Sequence, residues 1–398
     1  MTTGTRRNVH PFPARMAPSI ALDRIAELSK PGDTVLDPMC GSGTVPRVAS
    51  SMDRKIVACD VDPLAVLMTR VACRPSMSKG LAERANHVVA MARGLNTELP
   101  KWIAIDKEST AFVNYWFASK QRDQLATLAK VIAPLPVDDD PLRLALSRII
   151  VTKSGGASLA RDTSHSRPHR VTQDNDADVY ALFCKSAAYL ESLLRSYPST
   201  TPELDIRLAD ALELPHVPDR SVDLIITSPP YLNAIDYIRG HKLALVWLGW
   251  RTSDLRQIRR ESIGSVVAPS SIPDDIQSIA EQSVPTFPQL STANQRLILR
   301  YTSDTDRLYT TLGRVSRPEA SLVVVLADST IRSLPVPTSQ IAISLASKHG
   351  FTLVDDVSRP LPTQHRYLPP PESQSSSFSS RMKLERILTF SATAKPSY

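Results

Sequence analysis

Thr227-Ser-Pro-Pro-Tyr231 is the stretch whose residue types could do chemistry most directly. Two successive prolines fix φ, hold Ser228 and Pro229 extended and remove two N–H groups. Ser228, Pro229 and Pro230 therefore present a stiff rim of hydroxyl and carbonyl acceptors. The flat ring of Tyr231 follows at once. Such a rim suits a planar base with an exocyclic amino group: the acceptors take the amino hydrogens and the ring stacks. The β-branched apolar run Val222 to Ile226 ahead of it reads as a buried strand, and open α/β sheets hold their ligands at such strand ends. A proline-rich turn that merely closes a strand is the alternative, so the other motifs decide.

A second cluster lies in Asp33-Thr-Val-Leu-Asp-Pro-Met-Cys-Gly-Ser-Gly-Thr44 and Lys55-Ile-Val-Ala-Cys-Asp60. The pattern is strand, glycine-rich turn, a helix from about Val45 to Ser51, and a second strand that ends in an acid, the signature of a ribose grip. A nicotinamide fingerprint would need a third glycine where Pro46 stands, and no Gly-Lys-Ser/Thr follows to make a phosphate loop. Asp62, in Asp-Val-Asp-Pro, is placed to cap the next helix. Ile206 to Pro215 reads as a third strand with Asp210 at its end.

Together these motifs resemble those of the S-adenosylmethionine-dependent amino-methyltransferases that act on nucleic-acid bases. Asp37-Pro-Met-Cys-Gly-Ser-Gly-Thr44 is similar to the family's Asp-Pro-Phe-x-Gly-Ser-Gly-Thr, with Met39 in place of Phe, and Ser228-Pro-Pro-Tyr231 to its (Asp/Asn/Ser)-Pro-Pro-(Tyr/Phe) after the fourth strand. The resemblance covers roughly residues 9–75 and 203–392. It implies a Rossmann-like α/β fold, a mostly parallel sheet with a closing antiparallel strand, here with a largely helical insertion. S-adenosylmethionine is the implied cofactor, held by Phe12 of the segment before the first strand, Asp37, Pro38, Gly41, Gly43, Thr44, Asp60, Asp210 and Ala211. Within that set Asp37 would meet the ammonium group, Asp60 the ribose hydroxyls, Asp210 and the Ala211 N–H the adenine, on which Leu212 would pack. Ser228, Pro229, Pro230 and Tyr231 would be catalytic. Ser at the first motif position goes more often with N4 of cytosine. N6 of adenine, an RNA base and a silent methyltransferase fold that only binds nucleic acid are the alternatives. Methylation at carbon-5 of cytosine would need a thiolate nucleophile, usually in Pro-Cys, a dipeptide this chain lacks.

The chain divides into residues 1–75 with the cofactor motifs, 76–202 as a mainly helical insertion and candidate target-recognition region, and 203–398 with the catalytic motif. Helices are expected over 82–99, 120–132, 142–150, 178–197, 238–250, 297–315 and 341–348, strands over 321–328, 351–357 and 385–390, and a long loop or lid over 262–289. Two stretches are strongly basic. Arg143 to Arg170 carries six Lys/Arg against Asp162 alone, and Arg239 to Arg260 six against Asp254 alone. Arg161, Arg167, Arg170, Arg239 and Lys242 are the candidate contacts to DNA, a duplex from which the target base must flip. The insertion precedes the Asp210 strand, whereas the family's common arrangements place target recognition after it or at the chain end.

At 398 residues, 42% hydrophobic and with net charge +7, the chain can bury a large core and favours an anionic partner. No apolar run approaches the roughly 18 residues of a membrane span, and the first residues lack a signal-peptide core. Cys40, Cys59, Cys73 and Cys184 show no zinc spacing, so a cytoplasmic protein without structural metal is expected. A cognate restriction or defence nuclease is a candidate partner.

Overall fold

The structure is a computed structural model and describes residues 9–11, 16–152, 155–161, 168–198, 203–232, 236–263, 271–360 and 384–393. A seven-stranded sheet lies at its centre. In chain order its strands are β1 (Thr34–Asp37), β2 (Lys55–Asp60), β3 (Leu204–Leu208), β4 (Val222–Thr227), β5 (Ser316–Leu326), β6 (Phe351–Pro360) and β7 (Leu384–Ala392). Across the sheet the order is β6-β7-β5-β4-β1-β2-β3. Neighbours from β5 to β3 pair in parallel, while β7 runs antiparallel to both β5 and β6. This is the α/β class that the motifs imply, with its antiparallel closure.

The helices are α1 (Pro18–Leu28), α2 (Thr44–Ser50), α3 (Pro63–Cys73), α4 (Leu81–Arg93), α5 (Lys101–Ala104), α6 (Lys107–Trp116), α7 (Ser119–Ile132), α8 (Asp140–Arg148), α9 (Val179–Leu194), α10 (Tyr237–Leu245), α11 (Thr252–Glu261), α12 (Asp274–Ser283), α13 (Thr292–Val315) and α14 (Thr338–Lys348). The central strands are apolar on both faces because helices cover both. Val35, Leu224 and Ile226 pack with Ile20 and Ile25 of α1 and Val45 and Val48 of α2. Leu36 and Ile225 join the opposite layer with Ile298 and Leu312 of α13 and Ile341 of α14. The helices from α4 to α9 share a third core with Leu64, Met68 and Val71 of α3 and Leu243 of α10.

Four contacts set the parts that matter for the site. At the foot of β4, Asp223 accepts from the Thr34 N–H at 2.9 Å and pairs with Arg317 at 2.6 Å, stitching β1, β4 and β5. Phe117 and Trp247, both fully buried, meet edge to face at 5.2 Å, which ties the segment after α10 to the helical block. Such a pair adds about 0.5–1.5 kcal/mol beyond burial. Trp102 adds a hydrogen bond from its ring N–H to the Val246 carbonyl at 2.9 Å.

The structure corrects several boundaries. The expected lid over 262–289 holds α12 and a 3-10 turn over Phe287–Gln289, because Ile276 and Ala280 bury against α13 and α14. The third strand stops at Leu208, so Asp210 lies in the turn beyond it. Arg161 and Arg170 sit on a short antiparallel ribbon, Ala160–Arg161 with His169–Arg170, rather than in a plain loop. The last helical turn before Trp250 is 3-10, ended by Gly249 at φ 101°.

Candidate active site at the strand ends

The strand order reverses between β1 and β4, one leading out through β2 to β3 and the other through β5. Loops that leave such a switch point diverge and open a crevice at the carboxyl ends of the strands. Both motifs stand there. Val35 and Leu36 pair in register with Leu224 and Ile225, so the turn after Asp37 and the Ser228-Pro-Pro-Tyr231 segment leave adjacent strands side by side.

On the β1 side, Gly43 opens α2 in the left-handed region at φ 76°. A side chain there would bring its Cβ to 2.9 Å from the Thr69 Cα, so only glycine fits. Gly41, also at positive φ, gives its N–H to Asp60 at 2.9 Å. Asp60 takes the Asp62 N–H at 2.9 Å as well. Asp37 is buried and accepts from Met39 N–H at 3.3 Å. Pro38 and Thr44 complete the turn, with Thr44 the first residue of α2.

Among the described residues neither Asp37 nor Asp60 forms an ion pair. Burial, and next the charge of Asp60 working against the Met39 hydrogen bond, pushes the Asp37 carboxyl up to about 8. Burial and the charge of Asp62 push Asp60 up to about 7. Asp210, in the turn after β3, is half-buried, accepts from Leu212 N–H at 2.9 Å and is also raised, first by burial. Ala211 and Leu212 beside it are buried. Three buried or half-buried carboxyls at successive strand ends, all raised by burial, suit a ligand that brings a cationic group and hydroxyl donors.

On the β4 side, Thr227 is buried, Pro229 is buried, and Ser228, Pro230 and Tyr231 are partly exposed. The Tyr231 hydroxyl donates to Glu385 at 3.4 Å, and Glu385, itself buried, pairs with Arg359 at 2.6 Å. Burial and then the Glu385 charge hold the phenol far above its usual value, while a hydrogen bond from the Ser228 side chain pulls the other way. Ser228 and Tyr231 thus meet through their side chains. The loop leaves under restraint, since Ser329 donates to the Leu232 carbonyl at 3.0 Å.

Part of the chain has counterparts among known proteins. Residues 2–70 match the N6_N4_Mtase model, described as DNA methylase. The type II methyltransferase M.MvaI of Kocuria varians is 21% identical over 389 residues, 89% of this chain and 84% of its own length. Over these stretches the chain is similar to DNA methyltransferases. Another relative, the type II methyltransferase M.BsoBI of Geobacillus stearothermophilus, is 24% identical over 284 residues, though the match spans only 60% of this chain and 52% of that one. A solved SAM-dependent methyltransferase of Methanosarcina mazei matches 96% of this chain at 9% identity with a TM-score of 0.35, a likeness too loose to align sites.

The crevice gathers Asp37, Pro38, Gly41, Gly43, Thr44 and Asp60 on one side and Ser228 to Tyr231 on the other, with Asp210 and Ala211 one strand further out. Phe12 and Arg167 lie outside the described residues, as does the Arg161 side chain. Arg170 is exposed, with its guanidinium 5.3 Å from the Tyr115 ring centre. Lys242 lies over Phe112 at 4.5 Å, and Arg239 is 3.7 Å from Asp236. The second basic stretch therefore borders the same helical block as the ribbon.

Sequence reasoning missed two features. Asp62 caps α3 through Leu64 N–H as expected, but its other oxygen holds the buried His241 of α10. That bond ties the carboxylate row to the helix after the catalytic loop, and Tyr237 stacks over His241 with ring centres 6.4 Å apart. A lone histidine in a basic helix gave no signal of this. The Glu385–Arg359 pair comes from register between β6 and β7, which spans a long connection.

Proposed function

We propose that the protein transfers a methyl group from S-adenosylmethionine to N4 of a cytosine flipped out of duplex DNA. What supports this reading most is the pairing, at one switch point, of a row of buried carboxyls with a Ser-Pro-Pro-Tyr rim. Asp37 would take the ammonium group of the cofactor, Asp60 the ribose hydroxyls, and Asp210 with the Ala211 N–H the adenine, Leu212 packing on its face. When bound, S-adenosylmethionine supplies a methyl group on a sulfonium, which needs no metal and no covalent enzyme intermediate.

An exocyclic amine is a weak nucleophile because its lone pair is delocalised into the ring. The Ser228 hydroxyl and the Pro229 carbonyl would accept its two hydrogens, draw the lone pair out of conjugation and aim it; the C–N bond would form as the C–S bond breaks, releasing S-adenosylhomocysteine, and the methylated amine would lose its extra proton to solvent water. Tyr231 would stack on the base, its ring oriented by the hydroxyl bond to Glu385. A serine side chain is shorter than the Asp or Asn of adenine-directed relatives and uncharged, which leaves room for a pyrimidine to sit deeper. Arg161, Arg167, Arg170, Arg239 and Lys242 would grip the phosphates. A cognate restriction or defence nuclease would be the partner whose cutting the modification blocks. Ser228→Ala tests the division of labour: turnover should drop by orders of magnitude with cofactor affinity unchanged by calorimetry. Loss of cofactor binding in that variant would overturn it.

A further inference from the structure

Between α6 and α10 lies a cleft of about 340 Å³, lined by Phe112, Trp116, Pro168, Arg239, Lys242 and Leu243. We propose that this cleft holds one nucleotide of the substrate DNA strand beside the methylated base, its base on the Phe112/Trp116 wall and its phosphate on Arg239 and Lys242. The proposal rests on the DNA methyltransferase reading and adds a site to it.

The walls match the two ends of a nucleotide. Phe112 and Trp116 are i,i+4 neighbours on α6 with ring centres 6.2 Å apart, a broad apolar surface on which a base or sugar can lie. Arg239 and Lys242 are i,i+3 neighbours on α10 and share its outer face. Lys242 is half-buried, and that burial lowers its affinity for a proton, so an incoming anion relieves a desolvated ammonium. Its charge has little local compensation. The acid that acts on it most, Glu108, pairs with Arg256 at 2.6 Å. Asp236, the acid beside Arg239, is shared with Arg259.

The pattern continues out of the cleft. Tyr115, half-exposed, meets Trp116 edge to face at 5.0 Å and carries Arg170 over its ring. Cations seated on aromatic rings in this way offer stacking and phosphate contacts together, which a purely solvated basic face does not. The position also fits. α10 begins six residues after Tyr231, and its inner face holds His241 against Asp62 while its outer face forms the cleft. From Tyr237 to Lys242 the helix rises only about 7.5 Å. Tyr237, the first residue of α10, lies close enough to Tyr231 for the two phenols to act on each other, which sets the start of this helix beside the rim.

Photo-cross-linking tests the assignment. The full chain is irradiated with random-sequence duplex DNA in which 5-iododeoxyuridine replaces part of the thymidine, and the adducts are mapped by mass spectrometry. Cross-links on the peptide that spans residues 107–117 are expected. In parallel, Trp116→Leu should raise the KM for DNA about tenfold, the scale of one lost stack. Lys242→Gln should flatten the salt dependence of DNA binding by about 0.9 in slope, the value of one phosphate contact. Both should keep the affinity for S-adenosylmethionine. Phe112→Leu, which keeps the apolar volume and removes the ring, guards against a misfolded Trp116 variant. Absence of cross-links in 107–117, unchanged DNA parameters in all three variants, or adducts formed only with RNA of the same length would overturn the cleft. Methyl transfer by the wild-type chain is measured on the same DNA. Cross-links without transfer would sink the methyltransferase reading and leave the cleft, while transfer without cross-links or variant effects would sink the cleft alone.

Discussion

Asp37→Asn should change how many protons leave the protein when S-adenosylmethionine binds. At pH 7 a carboxyl at about 8 is about nine-tenths protonated and one at about 7 about half, so Asp37 and Asp60 together hold more than one proton in the free protein. A bound ammonium and ribose hydroxyls favour the ionised forms, so the two carboxyls should expel about 1.4 protons on binding at pH 7. The cofactor should therefore bind more tightly as pH rises from 6 to 8. Asparagine at 37 removes the larger share and should leave about half a proton from Asp60. The assay is calorimetric titration in buffers of different ionisation enthalpy, where the slope of observed heat against that enthalpy counts protons. A slope of zero for the wild type at pH 7, or the same slope in the variant, would refute the reasoning. Stability follows with a definite sign. A carboxyl raised in the folded state stabilises below the unfolded value near 4 and loses that contribution as pH rises through about 8. The cofactor-free Asp37→Asn chain should thus melt higher than the wild type above pH 8.

Gly43→Ala should destabilise the fold by about 1–3 kcal/mol in denaturant unfolding, because φ 76° is strained for alanine and the new Cβ would meet Thr69 at 2.9 Å. A variant as stable as the wild type would show that α2 can shift. Tyr231→Phe should cost less than about 1 kcal/mol of stability, since the lost hydrogen bond is long at 3.4 Å and Glu385 keeps Arg359. Its turnover, followed by labelled methyl incorporated into DNA, should stay far above that of Tyr231→Ala, which removes the ring; equal loss in the two variants would assign the work to the hydroxyl.

What the sequence made legible is local. Strand, glycine turn and terminal acid all lie between Asp33 and Asp60, so the cofactor side could be read from spacing alone. The catalytic loop was legible because two prolines constrain their own backbone and nothing distant is needed. What could not be read depends on residues far apart in the chain. His241 meets Asp62 across 179 residues, and Tyr231 meets Glu385 across 154. Nothing local sets Phe112 and Trp116 of α6 beside Arg239 and Lys242 of α10; only the fold does. α12 was hidden because the Ser and Pro content around it masks the two apolar residues, Ile276 and Ala280, that bury it.

The central claim is a methyl group on N4 of cytosine. The direct measurement is mass spectrometry of nucleosides released from duplex DNA after incubation with the purified chain and S-adenosylmethionine. N4-methylcytosine should accumulate with the wild type and vanish with Ser228→Ala. N6-methyladenine as the sole product, or no methylated nucleoside from a chain that binds both cofactor and DNA, would contradict the account.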